Sequence, residues 1–510
     1  MKGLDFVAKI APGYAAKRAK SHREYQLQSA MNEAARLYDA ATNTQYRKPV
    51  VGAGMSPNAI VDNAGTRLRD LARYLEENHD LTNAIFDDLL NNIIGAGASK
   101  VPQIKLANGE LATDVNNRAL ELYDEWAQSP DTTGEFGFEQ MERMVARHVF
   151  RDGEIFLRPI INNAGFAYKT QVPYAVDMLD ADYCPLDLLV TGNNVIQGIE
   201  CNEWGAPTAY YFYKSHPGEV ISTTVTMLSE TQRIEAAGVY HLKYVKRLRQ
   251  RRGVPLIHSV IDRMRDIKDY EESERIAAKV ASSFTFALTK SGEASAPTAV
   301  NIDGNRELGM APGMGFELMP GEGVQTIDSN RPNTGLNEFR NAMLRAVAGG
   351  TGTRFSSISK DYNGTYSAQR QELVEGSIAY RAHFNYFVRK FYKPIWSDFI
   401  TAAALSGALG SLRGVDQSTL TRCEFRPPSL PWIDPAKEAK AWRELVDAKL
   451  ESRKEVMRQR GRDPAKVMEE MSEESENELF ASTIDLAEPE TLIEDINEDI
   501  NEDENEAGAA

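Results

Sequence analysis

Cysteine is scarce in this chain, and the three present, Cys184, Cys201 and Cys423, are too scattered to frame disulfides or to ligate zinc. No apolar run approaches the roughly 18 residues that a membrane span requires, so no membrane partner is expected. The opening stretch, MKGLDFVAKIAPGYAAKRAK, has Asp5 and Lys9 where an export signal needs an unbroken apolar segment. These absences describe a protein made in a reducing cytoplasm. A phosphate-binding loop is lacking too. Neither GAGASK at 95–100 nor AGGTGT at 348–353 follows the GxxxxGK[ST] pattern that brings a Lys to the phosphates. The seven histidines show neither HxxxH nor HExxH spacing, and no GxSxG turn occurs. Catalytic, cofactor and metal residues are therefore assigned to none, and the chain reads as a structural or interaction protein rather than an enzyme.

Charge of one sign is missing from one region. Residues 467–510 hold 17 acids and no Lys or Arg, which leaves 57 acids against 58 bases in residues 1–466. The net charge of −16 therefore comes from the tail, and the body is near neutral. The tail closes on the repeat EDIN-EDIN-EDEN, from Glu494 to Asn505. Such a run repels itself and offers too little apolar surface to pack, so residues 486–510 are expected to be disordered. Elsewhere, 42% apolar and 26% charged residues describe a globular body large enough for several packed units.

Apolar spacing predicts helices over 22–40, 65–78, 81–94, 115–128 and 137–150. Asp152-Gly153 turns the chain into the strand EIFLRPII, and the pattern stays β-rich to residue 245. This makes an α+β module. From Pro255 to about Thr289 no Pro or Gly interrupts a pattern of two apolar stripes separated by DIKDYEESER. About 35 helical residues would make a rod of roughly 50 Å, long enough to suggest helices from several chains packed together. Asp262, Asp266 and Asp269 interleave with Arg263, Arg265 and Lys268, which reads as a solvated ion-paired face rather than a two-metal nuclease. Residues 290–333 are Gly- and Pro-rich loop with short strand, and the methionines 310, 314 and 319 there suit a partner's surface. Helices are predicted at 335–348 and 367–405 and, after the rigid RPPSLPWIDP, from Pro435 to about Gln459.

The stretch KYVKRLRQRRGVP, from Lys243 to Pro255, has six basic residues in its first ten. Its arginines could hold nucleic acid, or they could pair with acids of a neighbouring chain.

Several segments resemble the lambda-type portal proteins (head-tail connectors) of tailed bacteriophages. They are the Arg-rich TRLRDLARYLEENHDLTNAIFDDLLNNIIGAG (66–97) and the Trp-bearing helix and "DGExfxR" turn within 121–160. VIQGIECNEWGAPTAYYFYKSHPGE (195–219) and the "RGvP" element that opens 252–284 follow. A "YSSxR"-like element comes next, here Tyr366, Ser367, Ala368 and Arg370 with Ala in place of one Ser, and then PWIDPAKEAKAW (431–442). The resemblance spans about residues 60–470 and rests on the order and spacing of these elements together.

The resemblance implies a portal-type α+β fold: an α/β wing, long stem helices, a small β/loop clip and an α-helical C-terminal crown. By order along the chain, 1–254 is the N-terminal region and wing, 255–289 the first stem helix and 290–333 the clip. The second stem helix is 334–348, the tunnel loop 349–365, the rest of the wing 366–430, the crown 431–485 and the acidic tail 486–510. It implies a homo-oligomeric ring, usually a dodecamer, at one capsid vertex of the virion, assembled in the host cytoplasm. Double-stranded DNA passes through it in packaging and ejection. The implied partners are the terminase large subunit, the major capsid protein or scaffold, and a head-completion (adaptor) protein. Arg354 and Lys360 become DNA-channel candidates, with capping of neighbouring turns as the other reading. Arg249, Arg251 and Arg252 become inter-subunit or DNA contact candidates. The competing readings are a DNA-processing nuclease and another capsid or tail subunit.

Overall fold

The computed structural model describes residues 54–190, 194–218, 231–283, 287–290, 322–325, 335–428, 435–460 and 464–476. The segment 20–25 and the single residues 13, 17, 192 and 462 are described besides. The chain divides into two units, Met1–Ile60 and Val61–Ala510. Of the helix predicted at 22–40, only the part up to residue 25 falls within the described residues, and it is helical.

Helix α1 (Pro57–Asn78) starts where Ser56 Oγ accepts the Ala59 N–H at 3.2 Å, with proline in the first helical position. Its inward stripe is Val61, Gly65, Arg69, Ala72 and Leu75, an apolar spacing with one arginine in the middle. Helix α2 (Asp80–Ile93) buries Leu81, Ile85, Leu89 and Ile93 at the spacing read from the sequence. It stops as the chain turns at Gly95, whose φ of +57° suits glycine. Strand β1 (Ser99–Pro102), helix α3 (Thr113–Trp126) and helix α4 (Phe138–Arg151) follow.

Strand β2 (Glu154–Ile161) is the partition of the molecule. It lies between β3 (Tyr174–Leu179) and β9 (Tyr240–Lys243) in a three-stranded antiparallel sheet. Its side chains alternate between two cores: Ile155 and Leu157 join the helices, while Phe156 joins the second sheet. That second sheet is an antiparallel meander of β4 (Leu189–Val190), β5 (Val195–Ile196), β6 (Ile199–Cys201), β7 (Pro207–Tyr213) and β8 (Thr231–Glu235). The mixed helix-and-sheet expectation holds.

Helix α5 (Ile261–Ser283) is shorter than predicted, and two features explain its ends. Leu256–Ser259 forms a 3-10 turn pinned by Pro255, and Ala287–Lys290 is not helix but strand β10, paired with β11 (Glu322–Gln325). A strand partner some 35 residues away overrides the local helical pattern there. The rest of the proposed clip, 291–321 and 326–333, lies outside the described residues. Helix α6 (Leu336–Thr351) runs three residues past its predicted end and closes on Gly352 at φ +74°.

The predicted loop beyond AGGTGT contains a short helix, α7 (Phe355–Ser359), then α8 (Tyr366–Phe387). Residues Val388–Tyr392 wind as one wide π turn before α9 (Lys393–Leu405). Pro394 has no N–H to return to the preceding turn, which accounts for the widening. The extra residue turns both Phe391 and Tyr392 inward. They meet Trp126, Phe138, Trp396 and Phe399 in an aromatic core with several ring spacings near 5 Å, such as 5.2 Å for Trp126–Phe399 and 5.0 Å for Phe391–Tyr392. Strand β12 (Cys423–Arg426) returns to pair with β1, tying residue 99 to residue 426. The predicted single helix to Gln459 is in fact two, α10 (Pro435–Asp447) and α11 (Arg453–Gln459), and α12 (Pro464–Glu476) was not predicted. The tail called disordered, 486–510, lies outside the described residues.

Candidate subunit and nucleic-acid interface

The three arginines of the basic stretch have three different surroundings. Arg252 is fully enclosed, 0% exposed. Its Nε donates to Glu154 Oε1 at 2.7 Å, and its other nitrogens donate to the carbonyls of Cys184, Gln197 and Ala181 at 2.9–3.1 Å. A guanidinium so placed cannot reach a second chain or DNA, so the expectation of such a contact at Arg252 is corrected. Arg251 is half-buried and donates to the Asn194 and Ile199 carbonyls and to Asn194 Oδ1, fastening the stretch to the β4–β8 meander. Arg249, in contrast, is exposed at φ +62° on a tip with Lys246, Arg247 and Leu248, the last 92% exposed. Lys243 closes the base of that tip by donating to the Gln250 and Arg251 carbonyls at 3.0 and 2.6 Å.

Below the tip, the anchor is a buried ionic node at the head of β2. Glu154 accepts from Arg252, from Arg69 of α1 at 3.2 Å, from the Gly253 N–H at 2.9 Å and from His241 Nε2 at 3.0 Å. Arg69 also pairs with Asp182 at 2.5 Å, and Arg73, one helical turn on, bridges Asp182 to Asp152. Burial alone would raise the Glu154 carboxyl, but Arg252, His241 and Arg69 outweigh it and hold it far below the usual carboxylate range. Asp152 and Asp182 are depressed in the same way, against their own burial, by Arg151 with Arg73 and by Arg69 with Arg73. Burial lowers His241 to about 4 despite its carboxylate partner.

Backbone geometry completes the anchor. A Cβ on Gly253 would stand 1.9 Å from the Gly153 carbonyl oxygen, and one on Gly153, already at φ +89°, would meet the Val254 backbone. Only two glycines let these two chain segments touch. Sequence reasoning missed Glu154, Arg69, Asp182 and His241 as a unit. Part of the signal was present: Arg69 and Arg73 in the Arg-rich helix, Glu154 in the DGE turn and Arg252 in RGVP all lie in the segments that carried the resemblance.

The second candidate region is the pair α5 and α6. Near its base α5 buries Met264 and Ile267. Beyond them its described residues are half or fully exposed on every side, and α6 covers one flank through Tyr270–Phe339 ring contact at 4.9 Å and Glu271–Arg340 at 2.5 Å. Ile276 remains 53% exposed.

Arg354 and Lys360 flank α7 and diverge. Arg354 turns inward to Asp88 at 3.0 Å and Asn92 at 3.1 Å, its side chain 14% exposed, under the Tyr380 ring. Tyr380 donates to the other Asp88 oxygen at 2.5 Å. Lys360 ends α7 in the left-handed region and is exposed. Both stand at helix termini, and the structure does not bring them together.

Residues 47–383, about two thirds of the chain, match the family model described as phage portal protein, lambda family. The chain belongs to the lambda family of phage portal proteins. It is 24% identical over 455 residues to the probable portal protein of Halomonas phage phiHAP-1, covering 86% of each chain. Among solved structures it is similar to the neck of the native GTA particle computed with C12 symmetry (TM-score 0.43, 12% identity, 77% of this chain and 94% of that one). It is likewise similar to a chain of the virion of the native gene transfer agent particle (TM-score 0.41, 13% identity, 84% and 99%). As a portal-family chain it is a structural virion protein, and no helix among the described residues is long and apolar enough to cross a membrane.

Proposed function

We propose that this portal protein closes into a ring, a dodecamer in the simplest reading, at one vertex of the capsid. The ring conducts double-stranded DNA during packaging and ejection. It docks the terminase large subunit, the capsid protein or scaffold, and the head-completion protein. The observation that carries the ring is the α5–α6 pair, a two-helix projection with an exposed isoleucine and exposed charge along its outer sides. Two helices alone leave that surface in water, and a neighbouring pair on each side covers it.

In this reading α5 and α6 are the stem, residues 290–333 the clip, 349–365 the tunnel loop, 431–485 the crown, and the remaining body the wing. Lys360 is the cation that faces the channel, with Arg354 fixing the loop that presents it. The exposed tip with Arg249 meets acids of the adjacent subunit, and Arg251 steadies that tip. The near-neutral body suits a conduit, because each phosphate held tightly adds salt-sensitive affinity that would stall a sliding duplex.

Electron microscopy of the purified chain tests the proposal. Rings with a central hole of about 20 Å or more, wide enough for a duplex, are the expected result. A monomer with metal-dependent DNA cleavage would establish the nuclease reading instead, and a lattice without a channel would point to another shell subunit.

A further inference from the structure

Away from the basic tip and the helix pair, a cavity of about 510 Å³ opens between α3, α4 and the β1–β12 ribbon. Its volume falls in the range of small-ligand sites. The rings of Tyr123, Phe138, Tyr392 and Phe425 form its walls. Glu142 of α4 points into it, 3% exposed, and Glu142 Oε2 has no hydrogen-bond partner. Tyr392 Oη lies beside the carboxyl, near enough to act on it as a donor, although neither atom has a partner at full hydrogen-bonding geometry. Burying a carboxyl with an empty acceptor is costly unless something fills it.

The chemistry of the lining says what fits. Glu139 and Asp124 stand at the rim, so the site offers three carboxyl groups against the single ammonium of Lys100. That ammonium already shows how the site treats a cation: it lies 4.2 Å over the Tyr123 ring and 2.9 Å from Asp124. The other rings and Glu142 offer a second cation the same combination, and no side chain among the described residues supplies one. We infer that this cavity is a binding site for an alkylguanidinium or alkylammonium group, seated on the aromatic walls with its N–H donors on Glu142.

A proton must leave when it binds. Burial raises the Glu142 carboxyl to about 8, Lys100 pulling it down and Glu139 pushing it up, with Tyr392 and the Ala98 backbone opposing the rise. Tyr123 faces it as a neutral phenol. At pH 7 Glu142 is therefore mostly the neutral acid, and a bound cation displaces its proton to solvent as the carboxylate forms.

Calorimetric titration of the full chain at pH 7 with agmatine, in two buffers of different ionisation enthalpy, tests this. Agmatine should saturate one site per chain and release about half a proton or more, and 1,4-butanediol, of similar length and uncharged, should not bind. Glu142→Gln should weaken agmatine at least tenfold and abolish the proton release. Glu139→Gln, on the exposed rim where folding is not at stake, should weaken it two- to fivefold. Equal responses to the two probes, absence of proton release from the wild-type chain, or unchanged affinity in both variants would overturn the inference. Saturating agmatine during assembly separates the sources of the natural group. Blocked self-association identifies a basic side chain of a second copy, and unaltered association identifies a free small amine.

Discussion

Two regions of this portal protein hold comparable amounts of charge and use it in opposite ways. Around Glu154, carboxylates and guanidinium groups from α1, β2, the loop at Asp182 and the RGVP turn are withdrawn from water and bonded to one another. Along α5, acids and bases are interspersed in sequence and mostly face solvent. The difference teaches where each kind of charge acts. An enclosed pair is strong and unforgiving, because removing one partner strands the other away from water. An exposed pair contributes little to folding and remains available to a neighbour.

The most severe way to probe that contrast is Glu154→Ala, which leaves Arg252 enclosed without a carboxylate and Arg69 with Asp182 alone. Urea denaturation should show a loss of about 3–5 kcal/mol; a loss under about 1 kcal/mol would mean the node is not the anchor described. Acid should act on the node in two stages, both in the same direction. His241 is lowered from 6.5 to about 4, so as pH falls through that window the unfolded chain takes up a proton that the folded one refuses, and stability drops. The depressed carboxyls of Glu154, Asp152 and Asp182 contribute stability above their unfolded values of 4.5, 3.8 and 3.8, which is lost as pH falls through their lower folded ones. The difference between the pH 7 to 3 stability profiles of the wild-type chain and His241→Asn should isolate the first stage. His148, His258 and His383, lowered by burial, and Glu142, raised to about 8 and opposite in sign, titrate in both chains.

Arg354→Ala tests an intermediate setting, since it leaves Asp88 bonded only to Tyr380 and Asn92. A loss of about 1.5–3 kcal/mol is expected, with α7 loosened in hydrogen exchange. Ile276→Ser on the exposed side of α5 should change monomer stability by no more than about 0.5 kcal/mol and yet reduce ring yield in size-exclusion chromatography. Smallest in folding terms is the tip. Lys246→Gln, Arg247→Gln and Arg249→Gln together should leave the denaturation midpoint nearly unchanged while making assembly weaker and less sensitive to salt. If the triple variant unfolds as readily as Glu154→Ala, the division between anchor and tip is wrong.

Much of the fold was legible because its segments carry their own period. Leu81, Ile85, Leu89 and Ile93 mark a helix by spacing alone, and Glu154–Ile161 reads as strand beside its Asp-Gly turn. Apart from α12, the elements missed are short and depend on distant partners. Strand β1 exists because Cys423–Arg426 lies beside it, and β10 because Glu322–Gln325 does. The π turn depends on one proline inside a helix whose aromatic pattern otherwise runs through it. The candidate site was half legible: composition located the basic stretch, but three arginines within four positions look alike until their directions are known.

From the sequence alone follow the family resemblance, the α+β organisation, the acidic tail and the absence of phosphate-loop and metal motifs. All of these depend on composition and on order along the chain. Only the tertiary structure decided that Arg252 is an internal anchor while Arg249 stands outside, that Arg354 turns in while Lys360 turns out, and that Glu142 faces a cavity. The physical reason is desolvation. What a charge does depends on whether water or another side chain surrounds it, and that is set by contacts between residues as far apart as 69, 154 and 252.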